Sequence, residues 1–221
     1  MKSARCHVHP TKSSVTMLRS PSVTVLMRVC RRAGACGRHA LTIKPIFPCK
    51  LVGPALTVKL SPGDLQDPLK ALEIGKPGDV IVVDAGAETE TSVVGGLMGG
   101  LAKNRGIAGM IVDGAGRDID ELRDIGWPIF TRAITARGTH TMFSGRKEDL
   151  SLNVPIVCGG VVVNPGDMIV ADEIGITVVP QKKLTEVIHR AKEQADREAA
   201  TREWVKQGKT VEDLLREFGR I

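Results

Sequence analysis

Apolar positions along the chain fall into two kinds of pattern. Short Val, Ile and Leu runs bounded by glycine or proline mark strands, and stretches recurring every three and four residues mark helices. Leu51 to Leu60 alternates in part and reads as a strand, Asp67 to Ile74 as a short helix, and Asp79 to Asp84 as a buried strand. Leu97 to Asn104 predicts a helix with Leu97, Met98 and Leu101 on one face, followed by a short apolar strand from Ile107 to Val112. Asp113-Gly114-Ala115-Gly116 reads as a loop that delivers Arg117-Asp118 to the start of the next helix. Pro128 to Ile134 and Val154 to Val163 read as further strands. Ile169 to Ala171 and Ile176 to Val179 read as a hairpin around Asp172-Glu173-Ile174-Gly175. Lys182 to about Lys206 is helical, with Leu184, Val187, Ile188 and Ala191 spaced for one buried face, and a last helix covers Val211 to Phe218.

This mixture, in 221 residues of which 42% are hydrophobic, fits a single globular domain with a sizeable core. There is no tyrosine, and only four phenylalanines and two tryptophans, so the core rests on Val, Ile, Leu and Ala, as in a sheet covered on both faces. The same scarcity argues against base-stacking recognition of single-stranded nucleic acid. No apolar run is long enough to span a membrane.

Charge changes this picture by its position. Of the net +6, residues 1–63 carry eleven Lys or Arg and no acid, which leaves residues 64–221 at −5. A basic, acid-free segment at 1–44 thus precedes an acidic domain at 45–221, and a nucleic-acid partner is not expected for the domain. The segment's Arg and Ser content suits an organelle transit peptide, a basic tail contacting nucleic acid or acidic surfaces, or a displaced reading frame or wrongly chosen start. Cys6, Cys30, Cys36 and Cys49 fall in or beside it, but no C-x-x-C pair occurs and Cys30, Cys36 and His39 match no common zinc spacing. Five cysteines without a framework suggest reduced thiols in a cytoplasmic protein, with Cys158 a buried strand residue.

The chemistry concentrates between Gly95 and Gly126. A glycine turn opens the helix at Leu97, where free backbone N–H groups and the positive helix end favour a carboxylate or phosphate. Arg117 offers a planar fork for a carboxylate, and Asp118 a hard oxygen ligand for Mg²⁺ or Mn²⁺. Loops at strand ends converge in α/β folds, so both elements are expected to face one cavity. A plain helix cap by Asp118 with a solvated Arg117 is the simpler alternative. Gly95-Gly96-x-x-Gly99-Gly100 is not the dinucleotide fingerprint, and no G-K-[ST] follows it, so neither NAD nor Walker-type phosphate binding is indicated.

The run GGLMGGLAKNRGIAGMIVDGAGRDIDELRDIGWPIFTRAITARGT resembles the core signature of the RraA-like family. That family includes metal-dependent 4-hydroxy-4-methyl-2-oxoglutarate aldolases and regulators of ribonuclease E activity. Supporting segments are LVGPALTVKLSPGD at 51–64, PGDVIVVDAG at 77–86 and VPIVCGGVVVNPGDMIVADEIGITVVP at 154–180, and the likeness spans roughly residues 45 to 205. The resemblance implies an α/β fold of the swivelling β/β/α type, a single domain with a C-terminal helix. It also implies a carbon–carbon lyase in which Mg²⁺ or Mn²⁺ chelates a 2-oxo acid and stabilises the pyruvate enolate, with oxaloacetate decarboxylation as a related activity. Carried over by position, Asp118 takes the metal, Arg117 the substrate and enolate, and the backbone of Gly95, Gly96, Leu97 and Met98 the substrate carboxylate. A homotrimer or dimer of trimers is implied, with Glu193 or Glu198 of the long helix completing a neighbour's site.

One departure stands out. Aldolase members commonly carry an acidic residue twenty-one positions before the arginine, where it orders the water acting as acid and base, and here that position is Gly96. The acid expected three places after the aspartate is present as Glu121, and Asp120 or Glu121 could orient metal-bound water or simply favour the helix dipole. His140 is a weaker candidate for substrate contact or general base, Arg132 and Arg137 for positive potential, and Lys103 reads as solvated. A non-enzymatic regulator that binds a ribonuclease is the alternative to the lyase.

Overall fold

The computed structural model describes residues 16–18, 23–32, 42–60, 64–139 and 151–219. The elements run α1 (Val23–Arg32), β1 (Lys44–Pro45), β2 (Leu51–Lys59), α2 (Gln66–Ile74), β3 (Val80–Val94), α3 (Gly96–Asn104), β4 (Gly109–Gly116), α4 (Ile119–Ile125) and β5 (Ile129–Ile134). They continue with β6 (Ile156–Cys158), β7 (Val161–Val163), β8 (Met168–Asp172), β9 (Gly175–Val179), a 3₁₀ turn (Gln181–Lys183), α5 (Leu184–Lys206) and α6 (Val211–Phe218). A seven-stranded sheet has the order β1-β5-β4-β3-β2-β8-β9, parallel from β5 to β2 and antiparallel at both flanks, and β6 and β7 form a separate hairpin. The chain is the mixed α/β fold expected, with the C-terminal helix in place.

The central strands are apolar throughout because both of their faces are covered. Leu56, Val58, Ile81, Val83, Met110 and Val112 pack under Ala71 and Leu72 of α2, Met98 and Ala102 of α3, Leu122 of α4, and Trp127. Val80, Val82, Ile111 and Phe130, offset by one residue, face the opposite way onto Ile156, Cys158, Val161 and Val163 of the hairpin and onto β8 and β9. A third cluster joins Leu26, Val29 and Cys30 of α1 to Val52, Met168, Val170 and to Val187 and Ala191 of α5. The basic N-terminal segment therefore supplies a helix whose apolar face lies in this core. Val187 and Ala191 are buried as their spacing predicts.

Three expectations need correction. Val154 to Val163 is not one strand, because Gly159 and Gly160 both adopt positive φ and fold it into the β6–β7 hairpin. Asp113 to Gly116 is not a loop but the second half of β4. It pairs with a β3 that continues past Asp84 to Val94. Asp84 sits opposite Asp113 and Val94 opposite Gly116, so the far longer β3 stretch arches outward over it. On α3, Leu97 and Leu101 do not share a face with Met98. They are 83% and 56% exposed, and Met98 and Ala102, one step round the helix, point into the core.

The hairpin is fastened to the sheet by charge. Arg132 on β5 donates from Nε to Asp113 Oδ1 at 2.6 Å, with a second guanidinium nitrogen 2.5 Å from the same oxygen. Asp113 Oδ2 accepts from the Gly159 amide at 2.6 Å, so one buried carboxylate ties β4, β5 and the hairpin turn together. Arg132 is thus occupied structurally. Beside it, burial together with the Asp113 and Asp84 carboxylates pushes the Cys158 thiol far above the usual range. Cys49 is pushed up to about 11, chiefly by burial. Alkylation of the native protein at pH 8 should therefore leave Cys158 unmodified in peptide maps, and modification should appear only on unfolding.

Candidate active site

The two glycine-flanked loops meet. β3 ends at Val94 and β4 at Gly116 as parallel neighbours, so α3 and the Arg117-Asp118 corner both leave the same end of the sheet. The Arg117 amide donates to the Val94 carbonyl at 2.9 Å and the Thr135 amide to the Gly116 carbonyl at 3.0 Å, which stitches the ends of β3, β4 and β5 together. Across this junction the Gly96 amide, at the start of α3, donates to Asp118 Oδ2 at 3.1 Å. Asp118 occupies the N-cap position of α4 but makes no side-chain cap bond there, so its carboxylate serves the neighbouring helix instead.

The backbone at Asp118 is left-handed, with φ 55° and ψ 48°. Aspartate and asparagine tolerate this region better than other non-glycine residues, yet it costs of order 1 kcal/mol or more when held outside glycine. The conformation turns the chain sharply from β4 into α4 and aims the carboxylate back at α3. Both Arg117 and Asp118 are nearly half exposed, and Arg117 Nε lies 3.6 Å from Asp118 Oδ2.

Glycines make this crowding possible. A Cβ on Gly95 would lie 2.5 Å from Asp118 Oδ2 and 3.1 Å from Arg117 Nε. A Cβ on Gly138, in the loop after β5, would lie 2.7 Å from an Arg117 terminal guanidinium nitrogen. The guanidinium is therefore laid between two glycine backbones. The Gly138 loop is itself held by the Ser92 amide, which donates to the Arg137 carbonyl at 2.8 Å. A Cβ on Gly96 would overlap the Glu121 carboxyl group, with Glu121 Cγ 2.7 Å away.

Of the residues singled out in the sequence, Gly95, Gly96, Arg117 and Asp118 come together, with Leu97 and Met98 on the first turn of α3. Arg137 accepts through its carbonyl from the Ser92 amide, and Arg132 is committed to Asp113. Lys103 donates to the Ile125 carbonyl. Glu193 faces His189, and Glu198 engages Gln194 and Arg202, on the helix that follows β9 at the far edge of the sheet. His140 lies outside the described residues. Sequence reasoning missed Gly138. Its signal was the Arg-Gly-Thr run after an apolar strand, which is too short to interpret without knowing what it faces.

The RraA-like family, described as Aldolase/RraA, matches residues 26–178. The chain belongs to the RraA-like family. A Halalkalibacterium halodurans relative, provisionally named a 4-hydroxy-4-methyl-2-oxoglutarate aldolase, is 44% identical over 73% of this chain and 75% of its own. A Thermus thermophilus protein named 4-hydroxy-4-methyl-2-oxoglutarate aldolase is 38% identical over 51% of this chain and 65% of its own. Among solved structures, Streptomyces coelicolor RraAS2, described as an unusual member of the RNase ES inhibitor RraA protein family, superposes with TM-score 0.75 at 28% identity. That likeness covers 88% of this chain and 98% of RraAS2. Relatives bearing an aldolase name thus match this chain in sequence, and a solved structure bearing an RNase-inhibitor name shares its architecture. No helix among the described residues is long and apolar enough to cross a membrane.

Proposed function

We propose that this RraA-like chain is a divalent-cation-dependent lyase that releases pyruvate from 4-hydroxy-4-methyl-2-oxoglutarate-type 2-oxo acids, with decarboxylation of oxaloacetate as a related activity. The observation that carries this reading is the contact between the Gly96 amide and the Asp118 carboxylate, which brings an anion-favouring helix start and an Arg-Asp pair to one point. The aldolase names of the relatives support the same substrate class.

The donor set suits Mg²⁺ or Mn²⁺ held largely by water. Asp118 is an exposed hard oxygen donor, and among the described residues no group of three or more His, Cys, Asp or Glu side chains forms a ready cage. Bound at Asp118, the ion would supply a Lewis acid for the 2-oxo group. The chain's own residues do the rest. With the Gly96 amide committed to Asp118, the amides of Gly95, Leu97 and Met98 bind the substrate carboxylate, adding the helix dipole to their hydrogen bonds. Arg117, fixed between Gly95 and Gly138, places permanent positive charge beside the 2-oxo oxygen, where negative charge grows as the carbon–carbon bond breaks. A homotrimer or dimer of trimers would also cover Leu97 and Leu101, which are exposed on α3 beside this site.

The purified chain with Mg²⁺ or Mn²⁺ should release pyruvate from at least one member of a panel of 4-hydroxy-2-oxo acids and oxaloacetate, and chelator should suppress it. Inertness across the panel overturns the lyase. Gly138→Ala should push the Arg117 guanidinium aside and weaken oxalate binding about tenfold in calorimetry, with little change in the urea midpoint. An unchanged oxalate affinity would show that Arg117 does not depend on this loop. The exposed Leu97 and Leu101 also favour a second reading, a protein-binding regulator like RraAS2, which needs no turnover and would be found by capture of a ribonuclease.

A further inference from the structure

Asp118 attracts a cation less than a lone carboxylate would. Its Oδ2 is crowded: the Gly96 amide donates to it at 3.1 Å, Arg117 Nε lies 3.6 Å away, and a Cβ on Gly95 would stand 2.5 Å from it. Its Oδ1 makes no hydrogen bond or ion pair with any described residue, so one oxygen is left for an incoming ion. Arg117 is kept beside that carboxylate by the Gly95 and Gly138 backbones on either side of its guanidinium, and among the described residues it pairs with no other acid. The same point lies at the start of α3, whose first amides add partial positive charge. A divalent ion approaching Asp118 alone therefore meets one negative charge already offset by a full and a partial positive one.

Resting on the lyase reading above, we propose that Arg117 makes cation binding and 2-oxo acid binding mutually dependent, so that the chain takes up Mg²⁺ or Mn²⁺ together with its substrate and holds either one weakly alone. The repulsion is symmetrical. The ion is opposed by Arg117, and the acid, drawn to Arg117 and the α3 amides, is opposed by Asp118 beside them. Each ligand neutralises the group that opposes the other, and linkage requires the gain to be equal in both directions. The size of the gain depends on the acid's charge. Oxalate brings two negative charges to Arg117, whereas pyruvate brings one, so the grip on the cation loosens as the product forms. A cation pool too dilute to load the resting protein would still load its complex with substrate.

The probes are Mn²⁺ and oxalate, titrated by calorimetry with the Mn²⁺–oxalate complex of free solution subtracted. Saturating oxalate should tighten Mn²⁺ binding to the wild type by about 50-fold, within the usual span of a coupling between two ligands, and pyruvate should do so by less than about tenfold. Arg117→Met should tighten Mn²⁺ binding without oxalate by about tenfold, the scale of one charge removed at this separation in water. It should also cut the coupling to about fivefold, the part that direct contact between the two ligands leaves. Arg117→Lys keeps the charge but loses the fork, so it should hold Mn²⁺ alone within about threefold of wild type while binding oxalate less tightly. Arg117 is nearly half exposed, so neither substitution threatens the fold. An unchanged or weakened Mn²⁺ affinity in Arg117→Met, a lysine variant that tightens Mn²⁺ as much as the methionine one, or a wild type that binds Mn²⁺ equally with and without oxalate would each overturn the coupling while leaving the lyase standing. A wild type that binds Mn²⁺ under neither condition and releases no pyruvate would instead overturn the lyase, and the coupling with it.

Discussion

Asp118→Asn is expected to reduce pyruvate release by about 10³-fold while leaving the protein at least as stable as wild type. On the proposed reading, in which Asp118 holds a cation beside the substrate, the large loss follows from removing that carboxylate's charge, an electrostatic contribution of the size that single preorganised groups make. The stability expectation follows from the backbone. Asparagine tolerates the left-handed conformation at residue 118 as well as aspartate does, and its amide oxygen can still accept from the Gly96 amide. Asp118→Gly sharpens the separation. It removes the carboxylate and relieves the left-handed strain together, so its activity should fall as far as that of Asp118→Asn. A coupled pyruvate assay and urea melts of the three proteins decide the matter. A variant that kept a tenth of wild-type turnover would show that the carboxylate is not the cation's ligand.

Arg132→Ala should carry the largest stability effect, about 3 kcal/mol, because it leaves the Asp113 carboxylate buried without its cation. The arginine is itself only 23% exposed, so water reaches the abandoned carboxylate poorly. The first consequence is local. The Gly159 amide remains the carboxylate's partner, but the link to β5 is gone, and hydrogen exchange should quicken across β6 and β7 before the rest of the sheet. Replacing both partners, as in Arg132→Met/Asp113→Leu, should recover most of the loss, since a buried pair often gives little net stability over an apolar one. A single variant as stable as wild type would mean that the hairpin is held by its apolar contacts alone.

Much of the fold was legible in local pattern. Val211–Phe218 has a capping box between Thr210 and Asp213 at its start and an apolar stripe, and it lies where its sequence puts it. The errors arose where a tertiary contact decides. Polar Glu88, Thr89, Glu90 and Thr91 give no strand signal, yet the arch of β3 extends through them because β4 is alongside. Gly114 looked like loop material, but the glycine is there because a Cβ would press on Ala85 at 2.9 Å under that arch. At the site, Arg117 and Asp118 were readable because they are adjacent in sequence and bounded by glycine. Gly138 was not readable at all, and the carboxyl of Glu121 could be placed only through its geometry against Gly96, twenty-five residues earlier. A residue whose role is to leave room announces itself only when its neighbour is seen.

The Asp118 carboxylate sets the start of α3 from the start of α4, so architecture and chemistry would place overlapping demands on one side chain. A lineage that abandoned turnover would still need this aspartate to hold its two helices in register. The Arg-Asp pair can then persist like a retained keystone through a family whose members have drifted toward different tasks. Divergence of activity would be written at positions 96 and 138, where a single methyl group would displace the Glu121 carboxyl or the Arg117 guanidinium.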